Sequence, residues 1–214
     1  MTDFTKQIRD YLRIEAETLS KLDTDEISRA LNELLRAQKE EKNVFIFGNG
    51  GSGSTASHFT GDFNKGVSEG LPKPFRFRCL NDNIPTLLAI ANDFDYSEVF
   101  VYQLRGRVQK GDVVMAISGS GNSENVLKAV RYAKEQGAVI IGLTGYTGGA
   151  LRELSDIRLH VPVGSMQVAE DVHLIFDHLM MAVLCEHLKG LSHLSSLSCG
   201  SPEGKCARKD EATA

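Results

Sequence analysis

Short apolar runs that end in glycine- and serine-rich turns, each followed by helical periodicity, constrain this chain more than any other feature. Asn43-Val44-Phe45-Ile46-Phe47 opens into Gly48-Asn49-Gly50-Gly51-Ser52-Gly53-Ser54. Asp112-Val113-Val114-Met115-Ala116-Ile117 opens into Ser118-Gly119-Ser120-Gly121-Asn122-Ser123. A continuous apolar run of this length reads as a strand buried on both faces, the hallmark of a parallel sheet. Glycine lets the backbone bend sharply and approach a ligand closely. Serine hydroxyls and unpaired amides at a helix start bind an anion such as phosphate. Two such turns point to a phosphorylated small molecule held at strand ends.

From residue 43 onward strand and helix alternate. Strands are expected near 43–47, 75–79, 113–117, 138–143 and 157–161, and helices near 53–66, 84–92, 97–109, 122–135, 149–154 and 166–188. The predicted fold is therefore α/β, a five-stranded parallel sheet covered by helices on both faces, with ligands at the carboxyl ends of strands. Residues 1–42 read as two helices. The first, over 3–21, carries Ile8, Tyr11, Leu12, Ile14 and Leu19, and the second begins with the capping sequence Asp23-Thr24-Asp25-Glu26. Their apolar stripes need a partner, either the same domain or a second subunit. Residues 43–190 form the predicted ligand-binding domain, and 191–214, rich in Ser, Gly, Lys and Glu, are expected to be disordered.

The formal net charge of −4 argues against bulk electrostatic binding to nucleic acid. No apolar run approaches the ~18 residues of a membrane helix, so a cytoplasmic location with no membrane partner is expected. Cys79 and Cys185 read as buried thiols, and Cys199 and Cys206 match no zinc-binding spacing.

The first turn lacks the Gly-Lys-Ser/Thr ending of a nucleoside-triphosphate loop. Gly48, Gly50 and Gly53 do match a dinucleotide spacing, but Arg76, Arg78, Cys79 and Leu80 stand where that motif needs an acid. Hydroxyls at Ser52, Ser118, Ser120 and Ser123 suit a terminal phosphate instead. Among titratable residues, His58 and Asp62 stand four apart on one helical face. The last helix carries Glu170, Asp171, His173, Asp177 and His178 amid apolar neighbours. Asp171 and Asp177 read as a solvated face. His58, Asp62, Glu170 and His178 read as a site, and two imidazoles with two carboxylates make a divalent-metal set.

Phe47-Gly48-Asn49-Gly50-Gly51-Ser52, Ala91-Asn92-Asp93-Phe94, Ile117 to Ser123 and Leu143-Thr144-Gly145 resemble the sugar isomerase (SIS) domain, and more narrowly the phosphoheptose isomerases. The resemblance covers roughly residues 1–188. It implies a flavodoxin-like doubly wound sheet, a homotetramer with active sites at subunit interfaces, and aldose–ketose isomerisation of sedoheptulose 7-phosphate, which in the family supplies heptose for lipopolysaccharide. It further implies that Asn49, Gly50, Gly51, Ser52, Asn92, Asp93, Ser118, Gly119, Ser120, Ser123 and Glu170 contact substrate. A zinc site would be formed by His58, Asp62, Glu170 and His178, with Asp62 as base and His178 as acid.

The chain departs from the family pattern at three places. Asp62 replaces Glu, Glu170 replaces Gln, and Gly119 replaces Thr. The added carboxylate would favour a cation, including a harder one such as Mn²⁺. Glu170 is the next candidate for the base. Two other functions fit the same residues: another phosphosugar, such as a hexulose or amino sugar, as substrate, and a non-catalytic module that binds a replication initiator. Relatives of the latter kind lack the acid of the first helix, so Asp62 argues against it.

Overall fold

Alternation along the central strands decides the architecture. In the computed structural model, which describes residues 2–190, strand β1 (Val44–Gly48) sends Val44 and Ile46 to one layer and Phe45 and Phe47 to the other, all four buried. The remaining strands are β2 (Phe77–Cys79), β3 (Val113–Ser118), β4 (Val139–Thr144) and β5 (Ile157–His160). All pair in parallel, in the order β2-β1-β3-β4-β5. That is the flavodoxin-like order, with its switch point between β1 and β3. Register sets Gly48 opposite Ile117, so the two serine turns emerge side by side at this switch point.

One face is covered by α2 (Thr24–Lys39), α3 (Gly50–Gly61) and the long α8 (Met166–Lys189), around Phe59, Phe63 and Phe176. The other is covered by α4 (Ile84–Asp93), α5 (Val101–Leu104), α6 (Glu124–Glu135) and α7 (Gly149–Leu154), around Phe47 and Phe100. Each fully buried phenylalanine contributes roughly 1.5–3 kcal/mol.

The two N-terminal helices behave differently. α2 buries Ile27, Ala30, Leu34 and Ala37 in the sheet core. By contrast α1 (Thr5–Leu19) buries only Thr18, packs on α8, and leaves Ile8, Tyr11, Leu12, Ile14 and Leu19 exposed. Asp23 caps α2 as expected, accepting from the amides of Asp25 and Glu26 at 3.0 and 3.1 Å. The reciprocal half of the capping box is missing, because Glu26 instead bonds Arg29 and accepts from the Arg158 amide at 2.8 Å.

Several expected boundaries shift. The helix expected over 97–109 is a 3-10 turn at Tyr96–Glu98 followed by the four-residue α5, which ends before Gly106 at φ 72°. β2 begins at Phe77 because the Phe75 amide bonds the Ser68 hydroxyl at 2.8 Å instead of a neighbouring strand. The helix expected over 53–66 starts earlier, and at Asp62 it widens into a π-helical turn, Asp62–Val67. Cys79 and Cys185 are free and only partly buried. Among the described residues no helix is long and apolar enough to cross a membrane. Cys199, Cys206 and the expected tail lie outside the described residues.

Candidate functional site

Both serine turns are tied together before any ligand is considered. Asn49, the residue before α3, and Asn125, in the first turn of α6, exchange amide hydrogen bonds at 2.9 and 2.8 Å. Tyr96 donates its hydroxyl to Asn49 Oδ1 at 2.8 Å. Across the second turn the Ser118 and Ser123 hydroxyls stand 3.1 Å apart, and Ser120 Oγ accepts from the Asn122 amide at 3.2 Å. Gly121 has φ 68°, and a Cβ there would collide with the Gly148 carbonyl, so glycine is required.

Between the turns lies a cavity of about 230 Å³ whose walls include Asn49, Gly50, Gly51, Ser52 and the second turn from Ser118 to Ser120, with Ser123. Nine of the expected substrate-binding residues, Glu170 among them, therefore meet with Met166 around one space. The Glu170 carboxylate lies over Gly51, where a Cβ would come within 2.5 and 2.6 Å of its oxygens. That is the first turn of α3, where the helix dipole favours a negative group. At Gly119 a Cβ would overlap Met166 Sδ, so the methionine fills the space of the missing threonine side chain. Asn92 and Asp93 do not line this cavity. Both end α4, exposed, with Asn92 donating to Asp93 at 2.9 Å.

Farther along α3 and α8 four side chains converge. His58 Nε2 lies 3.1 Å from His178 Nε2, 3.5 Å from Asp62 Oδ2 and 4.0 Å from Asp177 Oδ2. His178 Nε2 stands 3.9 Å from Asp62 Oδ2, and one ligand atom from each of the four residues falls within 4.8 Å of every other. Tetrahedral zinc with bonds near 2.0–2.1 Å spaces its ligands about 3.3 Å apart, so these side chains close on such an ion with small rotations.

The four-residue cluster differs from the expected metal set at two positions. Glu170 does not join the four-atom cluster, because it stands two helical turns before Asp177, roughly 10 Å along α8. Asp177 is not on a solvated face: it is fully buried, and neither carboxylate oxygen has a hydrogen-bond partner among the described residues. Burial, together with the neighbouring Asp62, pushes its carboxyl up to about 8. A buried carboxylate without partners is costly, and a cation beside it removes the cost. The donor chemistry thus fits a divalent metal. The signal for Asp177 was present in the sequence: His173, Asp177, Met180 and Leu184 fall at i, i+4, i+7 and i+11, one stripe of α8, and all four are buried.

His173, one turn before Asp177, is also fully buried with neither ring nitrogen bonded among the described residues. Burial pushes its imidazole down to about 4. Its unfolded value is near 6.5, so its neutral form is favoured by folding. The stability this gives is complete above pH 6.5 and is lost as pH falls toward 4, by about 3 kcal/mol. Urea denaturation at pH 7.5 and 4.5 is expected to show that loss in the wild type and a correspondingly smaller loss in His173→Leu. Equal losses in both proteins would remove His173 as the cause.

Comparison with known proteins places the fold in a family. The chain is 35% identical over 164 residues to "Phosphoheptose isomerase 2" of Campylobacter jejuni, covering 77% of this chain and 81% of that protein. The solved phosphoheptose isomerase of Neisseria gonorrhoeae superposes with a TM-score of 0.78 at 26% identity, covering 85% of this chain and 98% of that one. That of Francisella tularensis gives 0.79 at 27% identity, with coverage of 86% and 98%. The SIS domain family model matches residues 3–145. That match begins beside α1 and runs to the end of β4, so both serine turns fall within it, and the chain belongs to the SIS domain family.

Proposed function

We propose that the chain is a phosphoheptose isomerase, an aldose–ketose isomerase that interconverts sedoheptulose 7-phosphate and D-glycero-D-manno-heptose 7-phosphate through an enediol. The single observation that carries the reading is the approach of His58 and His178, from two helices, to 3.1 Å beside two carboxylates on the same α3–α8 frame that shapes the serine cavity. From Ser52 to His58 the rise along α3 is about 9 Å, and from Glu170 to His178 along α8 about 12 Å. An extended seven-carbon chain ending in a phosphate ester spans roughly 10 Å, at about 1.3 Å advance per carbon–carbon bond. Phosphate in the serine cavity therefore brings the carbonyl end of a heptose to the imidazole–carboxylate cluster. The match to phosphoheptose isomerases over three quarters of the chain supports the same substrate.

The serine hydroxyls and the amides opening α3 hold the phosphate, and Asn49 with Asn125 keeps the two turns in register. Asp62 faces the imidazoles through Oδ2, which leaves Oδ1 to take the proton next to the sugar carbonyl and return it to the adjacent carbon. His178 moves the proton between the two sugar oxygens. His58, Asp62, Asp177 and His178 would hold a divalent metal, zinc in the first instance, and bound there it would polarise those oxygens as a Lewis acid. Asn92 and Asp93 reach sugar hydroxyls across a subunit boundary, and Met166 shapes the cavity beside Gly119. The exposed stripe of α1 supports a homotetramer in which that stripe is covered. The enzyme works in the cytoplasm, supplying heptose phosphate for a surface glycan such as lipopolysaccharide.

Purified protein is expected to convert sedoheptulose 7-phosphate, to lose turnover with a chelator, and to regain it with Zn²⁺ or Mn²⁺. Sedimentation of the same preparation is expected to give four chains per particle. Absence of turnover with every metal tested, in protein of native circular dichroism, would refute the assigned substrate.

A further inference from the structure

A second cavity, of about 450 Å³, shares no lining residue with the serine cavity. It lies at the β2 edge of the sheet, on the α4–α5 side, over Phe45 and Leu80. Two arginines open onto it, Arg78 from β2 and Arg107 from the segment after α5, and no carboxylate lines it. Several arginines of this net-acidic chain are matched by acids, as Arg13 is by Glu17, Arg36 by Glu33 and Glu40, and Arg105 by Glu98, whereas others, such as Arg131 and Arg158, form no ion pair among the described residues. Among the described residues neither Arg78 nor Arg107 forms an ion pair.

The walls are built, too. Arg78 Nε donates to Asn43 Oδ1 at 2.8 Å, which fixes the guanidinium plane and leaves both Nη groups free of protein partners among the described residues. Gln103, buried, is held by donation to the Leu80 and Val99 carbonyls at 3.0 and 2.8 Å. Burial pushes the Cys79 thiol up to about 12, so it adds no negative charge at neutral pH.

We infer that this cavity is a second anion-binding site, separate from the sugar-phosphate site, and that it takes the diphosphate group of a small molecule. Each guanidinium presents a planar fork suited to two oxygens of a phosphate group, so two forks on one cavity match a diphosphate better than a single carboxylate. The volume falls within the range of small-molecule sites.

The test is equilibrium binding of inorganic pyrophosphate to the chelator-treated full-length chain, so that no bound cation contributes. Wild type is expected to bind it, and Ser118→Ala/Ser123→Ala to retain that binding. Arg78→Gln/Arg107→Gln and Arg107→Glu are expected to bind about tenfold or more weakly, the effect of losing charge-assisted hydrogen bonds. Arg107 is exposed and its side chain makes no hydrogen bond among the described residues, so Arg107→Glu keeps the fold and decides the matter if the double variant does not fold. Phosphosugar turnover of metal-loaded Arg107→Glu is expected to stay within twofold of wild type. No binding by the wild type, wild-type affinity in Arg107→Glu, or binding lost in the serine variant instead would each overturn the assignment.

Discussion

Asp62→Asn and His178→Gln are each expected to lower kcat for sedoheptulose 7-phosphate by about 10²–10⁴-fold, the range for loss of a positioned base or acid. That corresponds to roughly 3–5 kcal/mol of barrier. Both substitutions preserve size, so the serine cavity remains intact and KM is expected to move by less than an order of magnitude. Isotope exchange separates the two roles. Asp62→Asn removes the group that takes the carbon-bound proton, so substrate incubated in heavy water should acquire no deuterium. His178→Gln still permits proton removal, and slow deuterium uptake should outlast product formation. Glu170→Gln provides the contrast. Glu170 stands over Gly51 in the serine cavity and away from the His58–His178 pair, so its loss should alter KM and leave deuterium uptake in place. Uptake abolished by Glu170→Gln and retained by Asp62→Asn would transfer the base role to Glu170.

The serine turns and strand runs were legible because their signal is local. Val113 to Ile117 is apolar on both faces, and no other element class buries such a run as economically as the centre of a parallel sheet. The long last helix was legible for a similar reason, its ends set by Ser165 at one cap and Gly190, at φ 65°, at the other. What was not legible depends on tertiary partners. The widening at Asp62 shows only in i→i+5 bonding, such as the Ser68 amide to the Phe63 carbonyl at 3.2 Å, which hydrophobic period does not encode. Asp177 sits between Phe176 and His178, and its chemistry alone points to solvent. Its position on the stripe with His173, Met180 and Leu184 placed it in the interior, and helical phase was the better guide. Glu170 was separable from the four-residue cluster only when α3 was seen to pass between two levels of α8, with Gly51 at one and His58 at the other.

Asp177→Asn is expected to abolish metal-dependent turnover and, in the same molecule, to stabilise the chelated protein. Both effects follow from one buried carboxylate. Its folded pKa, about 8, lies above the ordinary aspartate value of 3.8, so folding favours the neutral acid. The associated stability is present below pH 4 and is lost as pH rises toward 8. By pH 7 about 2–4 kcal/mol has gone, an order of magnitude set by the size of the shift and the full burial of the side chain. Asparagine cannot ionise, so chelated Asp177→Asn should hold its stability across that pH window while chelated wild type weakens. Saturating metal should reverse the order, since a cation bound only by the folded wild type stabilises it by mass action. The site then exchanges stability of the empty protein for affinity toward a cation, as expected where function is bought with an unsatisfied buried charge. Thermal melts of both proteins, with chelator and with Zn²⁺ at pH 5 and 7.5, check this directly. A chelated Asp177→Asn protein less stable than wild type at pH 7.5 would mean that Asp177 is satisfied in the empty protein, and the argument that its burial demands a metal would fall.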